Sequence, residues 1–151
     1  MRHWVVPRFT ASGELAKWLH FDQKQLDRGL PDKIRVGDRV LYYLTGTLGG
    51  SQSVVGSVEI RGELERVPAG EPSSRGGRDW VYRRAVSPRV PLPVGRTAPG
   101  VPLAELRKLL GWKPGATVRQ AITIPADRFE AIENALRERL LAAGVIARTA
   151  A

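Results

Sequence analysis

The chain has 151 residues, 42% hydrophobic and 26% charged, with 16 glycines, 11 prolines and no cysteine. That length suits one domain with one substantial core, and the balance argues against a disordered chain. No apolar run approaches the roughly 18 residues that a bilayer crossing needs, and disulfides and thiolate metal sites are excluded. The opening residues Met1 to Pro7 lack the apolar h-region of a secretion signal and read directly as strand. The expected location is the cytoplasm.

Charge is the informative quantity. Lys and Arg total 24 against 15 Asp and Glu, a net +9. Between Pro72 and Gln120 lie ten basic residues, among them Arg75, Arg78, Arg83 and Arg84, and only two acids, Asp79 and Glu105. That stretch holds nearly the whole excess, and such one-sided charge favours a polyanionic partner over a merely solvated face.

In chain order, His3 to Pro7 is a short strand. Ser12 caps a helix starting at Gly13, with Leu15, Trp18 and Leu19 on one face at i, i+3 and i+4. Phe21 to Leu30 is polar, a loop or short helix ended by Gly29 and Pro31. A turn at Lys33 to Asp38 leads into Arg39 to Thr45, apolar on both faces as a buried strand would be. Gly46 to Gly50 makes a hairpin connection to a strand over about Ser53 to Glu65. Residues 68 to 79 read as an exposed loop, followed by strand material at Trp80 to Val86 and Arg89 to Val94. Pro102 opens a helix with Leu103, Leu106 and Leu110 on one face, ended by Gly111. Thr117 to Ile124 predicts a strand, and Ala126 to Ala143 a helix whose stripe is Phe129, Ile132, Leu136, Leu140 and Ala143.

The strands are too closely spaced for repeated βαβ units, and an α+β fold, a small mixed β-barrel with helices at its edges, fits better. One domain over 1–145 with a short tail at 146–151 is expected.

Catalytic chemistry is sparse. The two histidines, His3 and His20, have no carboxylate at metal-ligand spacing, and Gly46 to Gly50 lacks the Gly-Lys-Ser/Thr ending of a phosphate loop. No cofactor or metal is expected, and the protein reads as a non-enzyme.

Several landmarks in order resemble the EVE domain family: the opening HWVVP, then Trp18, the turn KIRVGDRV, the strand VLYYLTG, WVYRRAV, VPLAELRKLLG and TVRQAITIPADRFEAIENAL. They cover roughly residues 3 to 141, and the Arg119-Gln120 pair is the sharpest element. The resemblance implies a PUA-like barrel of about five or six strands with flanking helices, related to YTH and ASCH domains. It also implies a pocket in which aromatic side chains hold one extruded, often modified, base of DNA or RNA, single-stranded or locally opened. Flat rings stack a base at about 1–3 kcal/mol each while guanidinium groups neutralise phosphates. By the resemblance the pocket comprises Trp18, Tyr43, Thr45, Gly46, Trp80, Arg119 and Gln120, with Tyr42 facing the core. Trp18 and Trp80 each have a core-packing alternative. Phosphates fall to Arg75, Arg78, Arg83 and Arg84. Pro7 and Arg8 stand where relatives commonly carry polar residues. Two other readings are a general RNA-binding PUA-like module and an ASCH-like hydrolase of modified nucleosides; for the latter Asp22, Asp38 and His20 are the nearby acid–base groups. The sequence is silent on oligomeric state.

Overall fold

A strand reading Val40-Leu41-Tyr42-Tyr43-Leu44 has no polar side, so both of its faces must be covered. The computed structural model, which describes residues 1–47, 49–68, 74–75, 78–95 and 97–146, shows how. The elements are β1 (His3–Arg8), a 3-10 turn (Gly13–Ala16), β2 (Trp18–Asp22), α1 (Gln23–Asp27), α2 (Leu30–Lys33), β3 (Arg39–Leu44) and β4 (Ser53–Ile60). They continue with β5 (Glu65–Arg66), β6 (Ser74–Arg75), β7 (Arg78–Pro88), β8 (Val101–Pro102), α3 (Leu103–Leu110), β9 (Ile122–Thr123) and α4 (Ala126–Ala142).

The sheet path runs β2-β7-β4-β3-β1-β9, with β5 and β6 on β7 and β8 on β4. β1 and β3 are parallel, His3 opposite Arg39 through Arg8 opposite Leu44, so residues 9–38 form the crossover that a parallel pair requires. Alternation along these strands separates two cores. Trp4, Val6, Val40, Tyr42 and Leu44 point into the curl of the sheet with Leu19, Phe21, Val55 and Ile60. Val5, Leu41 and Tyr43 point the other way, under α3 and α4, against Leu106, Phe129, Ile132, Leu136 and Leu140. The α+β mixed barrel-like sheet with flanking helices is thus present, with nine strands among the described residues.

Asp38 locks the crossover to the sheet. Its carboxylate accepts from the Arg2 and Arg35 main-chain N–H groups at 2.9 and 3.0 Å and from Trp4 Nε1 at 3.0 Å. Gly37, at φ +91°, supplies the left-handed step that this turn needs. At the start of α1, Asp22 and Gln25 form a reciprocal capping box, each side chain accepting the other's main-chain N–H at 2.9 Å.

Four expectations are corrected. The helix expected across Leu15, Trp18 and Leu19 stops as a 3-10 turn at Ala16, and Trp18 begins a strand. Leu15 and Leu19 still reach one core, so their spacing imitated a helical face. Arg89 to Val94 is no strand, because Pro88, Pro91 and Pro93 have no N–H for a ladder. The segment crosses β4 instead, with Leu92 seated on Gly56, where a Cβ would meet Leu92 Cδ1 at 2.7 Å. Of Thr117 to Ile124 only Ile122 and Thr123 pair, at the β1 edge. Finally, the α4 stripe excludes exposed Ala143 and includes Glu133, buried with 2% exposure.

Glu133 joins helix to sheet. Arg89 donates to it through Nε at 2.7 Å and an Nη at 2.9 Å, Arg137 lies 3.1 Å away, and Ser57 of β4 donates its hydroxyl. Burial alone would raise this carboxyl, but the bonds from Arg89 and Ser57, with the charges of Arg89 and Arg137, hold it below the ordinary carboxylate value. A group depressed on folding contributes stability above its unfolded pKa, and that contribution disappears as pH falls through the folded one. Glu133→Gln is therefore expected to lower stability at pH 7 by about 2–3 kcal/mol, the scale of charge-assisted hydrogen bonds. The deficit should shrink as pH drops below about 4. Urea unfolding of both proteins at pH 7 and at acid pH checks this.

Candidate functional site

Where β1 runs out of partners, its last residues turn toward β2 and β7. A cavity opens there, lined by Pro7, Arg8, Phe9, Thr10, Ser12, Glu14, Leu15, His20 and Trp80. A register skip puts Trp80 in it. β2 pairs antiparallel with β7, Trp18 opposite Ala85, His20 opposite Arg83 and Phe21 opposite Tyr82, but Asp22 opposite Trp80. The skipped residue is Val81, and the bulge turns Trp80 onto the face shared by Trp18, His20 and Arg83. The rings of His20 and Trp80 stack at 5.6 Å and 25°, and the Arg8 guanidinium lies 5.1 Å from the Trp80 ring centre. Arg8 is itself buried and donates to the Pro7 carbonyl at 2.8 Å and the His20 carbonyl at 2.7 Å.

Pro7 and Phe9 also border a wider open groove. Its walls carry Lys24, Arg28 and Lys33 from the crossover and exposed Arg119 and Gln120 from the segment before β9, with Asp22 and Asp79 as the acids. An aromatic cavity thus opens beside a groove with a basic excess.

Placement of the expected site residues divides them. Trp80 lines the cavity, and Arg119 and Gln120 line the adjoining groove. Trp18 shares the strand face of His20 but lies outside the cavity, because the Arg83 guanidinium covers its ring at 3.7 Å. Tyr43 packs beneath the helices in the second core, its hydroxyl 3.5 Å from that of Thr117. Thr45 continues the β1–β3 ladder through its N–H to the Arg8 carbonyl at 2.8 Å, and its hydroxyl pairs with that of Thr47. Gly46 packs against Gln52. Neither Tyr43, Thr45 nor Gly46 lines the cavity.

The expected phosphate set changes as well. Arg83, 6% exposed, pairs with Glu65 at 3.0 Å, and Arg84, equally buried, donates to the carbonyls of Gly62 and Pro31. Both hold strands together and do not face a ligand. The side chains of Arg75 and Arg78 lie outside the described residues, as does the tail from residue 147. Missed by sequence reasoning were Arg8, Phe9 and the groove cations Lys24, Arg28 and Lys33. Charge balance hid the last three, since Asp22, Asp27 and Asp32 alternate with them in the sequence.

Among the acid–base groups, Asp38 is committed to its turn and Asp22 to its helix cap, leaving His20, with Glu14, in the cavity. Among the described residues no cluster of three metal-ligating side chains occurs, and no helix is long and apolar enough to cross a membrane.

No protein-family model matches the chain, and no curated protein matches it in sequence. Solved structures do match in fold. The YTH domain of Pho92, in complex with m6A, aligns with TM-score 0.60 and 13% identity over 90% of this chain and 83% of that one. A hypothetical protein from Leishmania major aligns at 0.59 and 16%, over 91% and 96%. Human THYN1, in complex with 5-methylcytosine-containing DNA, aligns at 0.53 and 13%, over 90% and 98%. The fold is that of EVE- and YTH-like PUA-like domains.

If the Arg83–Trp18 stack ties β7 to β2, Trp18→Ala and Arg83→Ala are expected to be non-additive in urea unfolding, with a coupling of about 1 kcal/mol, the scale of a partly desolvated cation–π contact. Additive losses would deny the stack any stabilising role.

Proposed function

We propose that this protein is a nucleic-acid-binding module that takes one base, in the leading case a modified one, into the cavity of Trp80, His20 and Phe9. The phosphates on either side run along the groove of Lys24, Arg28, Lys33 and Arg119. The observation that carries this reading is the adjacency of an aromatic cavity and a basic groove across Pro7 and Phe9. Stacking rewards any flat base, and a basic track follows any phosphate chain. The ligands named for the Pho92 and THYN1 structures, m6A and 5-methylcytosine-containing DNA, support the modified-base component. A single strand or an opened site is the favoured form, because a stacked base must leave its duplex at a cost of a few kcal/mol.

The module acts by binding and not by catalysis in this proposal. The presence of His20 and Glu14 in one cavity favours one other reading, hydrolysis of a modified nucleoside. Incubation with acetylated and methylated nucleosides followed by mass analysis separates the two, and turnover would overturn the binding-only proposal.

Binding to labelled single strands is expected to weaken as salt rises. Alanine at Lys24, Arg28, Lys33 and Arg119 should flatten the log–log salt slope by about 0.7 for each phosphate that the protein no longer neutralises. Trp80→Ala should cost about 5- to 150-fold in affinity, the span of one base–aromatic stack, while Trp80→Phe, which keeps a ring, costs less. Equal affinity of wild type and a folded Trp80→Ala would sink the pocket, and an unchanged salt slope in the groove variants would sink the track.

A further inference from the structure

We propose that Arg8 selects the base, admitting those that present two adjacent hydrogen-bond acceptors on one edge and disfavouring adenine and N6-methylated adenine. The inference rests on the base-pocket reading above and names its ligand class.

Arg8 is the last residue of β1 and lines the cavity together with Trp80 and His20. At 5% exposure its charge is surrounded by protein. Two main-chain carbonyls, from Pro7 at 2.8 Å and His20 at 2.7 Å, fix the guanidinium in the wall. Its stance on Trp80 differs from that of Arg83 on Trp18. Arg83 lies 3.7 Å from its ring centre and covers the ring, whereas Arg8 stands 5.1 Å from its own. A base that stacks on Trp80 therefore meets this guanidinium edge-on. The charge also reaches deep into the sheet's interior: burial pushes the Tyr42 phenol upward, and Arg8 is the charge that opposes the shift.

A guanidinium donates and never accepts, and it does not lose its proton in a protein. Its planar fork matches two neighbouring acceptors. Guanine offers that pair at O6 and N7, and cytosine at N3 and O2. In adenine the exocyclic amine sits between N1 and N7, so each edge sets a donor beside an acceptor and turns an N–H toward the fork. Uracil and thymine separate their two carbonyls by an N–H. Glu14, also lining the cavity, is an acceptor suited to the amine that guanine and cytosine both carry. Methylation at carbon 5 of cytosine leaves the acceptor pair intact, so the inference is compatible with a modified cytosine.

The test is anisotropy titration, at one low salt concentration, of short single strands differing in one central base. Guanine or cytosine is expected to bind about 10-fold or more tighter than adenine, N6-methyladenine or uracil. Substituting 7-deazaguanine or 3-deazacytosine, which each remove one acceptor, should erase the advantage of the corresponding base. Arg8→Lys keeps the charge without the fork and is expected to bring the ratio within about 2-fold, with folding verified by circular dichroism. A wild-type preference for adenine or N6-methyladenine, no preference at all, or a preference that survives in folded Arg8→Lys would overturn the inference and leave the base-binding proposal standing. Failure to bind any strand would overturn both. The deaza strands use the unaltered protein, so the outcome does not depend on whether the variant folds.

Discussion

The parallel ladder of β1 against β3 has to serve two cores at once, and most of the molecule is arranged around that demand. Trp4, Val6, Val40, Tyr42 and Leu44 face the curl of the sheet, while Val5, Leu41 and Tyr43 face α3 and α4. A one-residue slip would exchange the two sets and place Tyr42, whose hydroxyl has no hydrogen-bond partner, under the helices. Asp38 pins one end of the ladder through Trp4 and the Arg2 N–H, and the Thr45–Arg8 main-chain bond closes the other. The cavity sits at that second end. Its floor is therefore the terminus of the most firmly buried pair of strands, a rigid support for a side chain such as Arg8.

Arginine is used here chiefly inside. Arg8 ties β1 to β2, Arg83 and Arg84 fasten β7 to its surroundings, and Arg89 joins the loop after β7 to Glu133 of α4. Each exploits several donors in a fixed plane, which suits bonds to main-chain carbonyls and bidentate contact with a carboxylate. Much of the positive excess between Pro72 and Gln120 is thereby spent on architecture. The field offered to a partner comes instead from Lys24, Arg28, Lys33 and Arg119, three of which belong to a part of the chain whose formal charges nearly cancel. In the folded protein those three side chains share one groove wall. Linear charge density and surface potential are different quantities.

The fold was legible where the pattern had one physical meaning. The apolar runs of β1 and β3, the leucines of α3 and the stripe of α4 each implied burial, and glycines at 111 and 144 marked helix ends, both at positive φ. β2 was not legible because Leu15, Trp18 and Leu19 satisfy a helical spacing while their shared burial has a different cause, a turn followed by a strand. Glu133 looked like a solvated helix residue until Arg89 and Ser57 met it from outside the helix. The site was less legible still. Trp80 reaches its cavity by way of the bulge at Val81, and a bulge is a property of two strands together. Trp18 is the converse: an aromatic residue at the expected place whose ring is already covered by a cation from the neighbouring strand.

Division of labour in such a site follows from what each interaction can distinguish. Phosphate contacts position a strand without reporting its sequence. Aromatic faces accept every base, since each has a π surface, so Trp80 and His20 contribute affinity with little choice. Discrimination must come from groups that meet the base edge, and these discriminate best when buried, because a mismatched donor or acceptor then has no water to turn to. The polar cavity residues at the half-buried rim, Thr10, Ser12 and Glu14, keep access to solvent, whereas Arg8 and His20 are enclosed. Hydroxyls rotate to donate or accept as needed, and a guanidinium held by two carbonyls cannot. The least adaptable polar group in the cavity is therefore the one best placed to decide which base enters it.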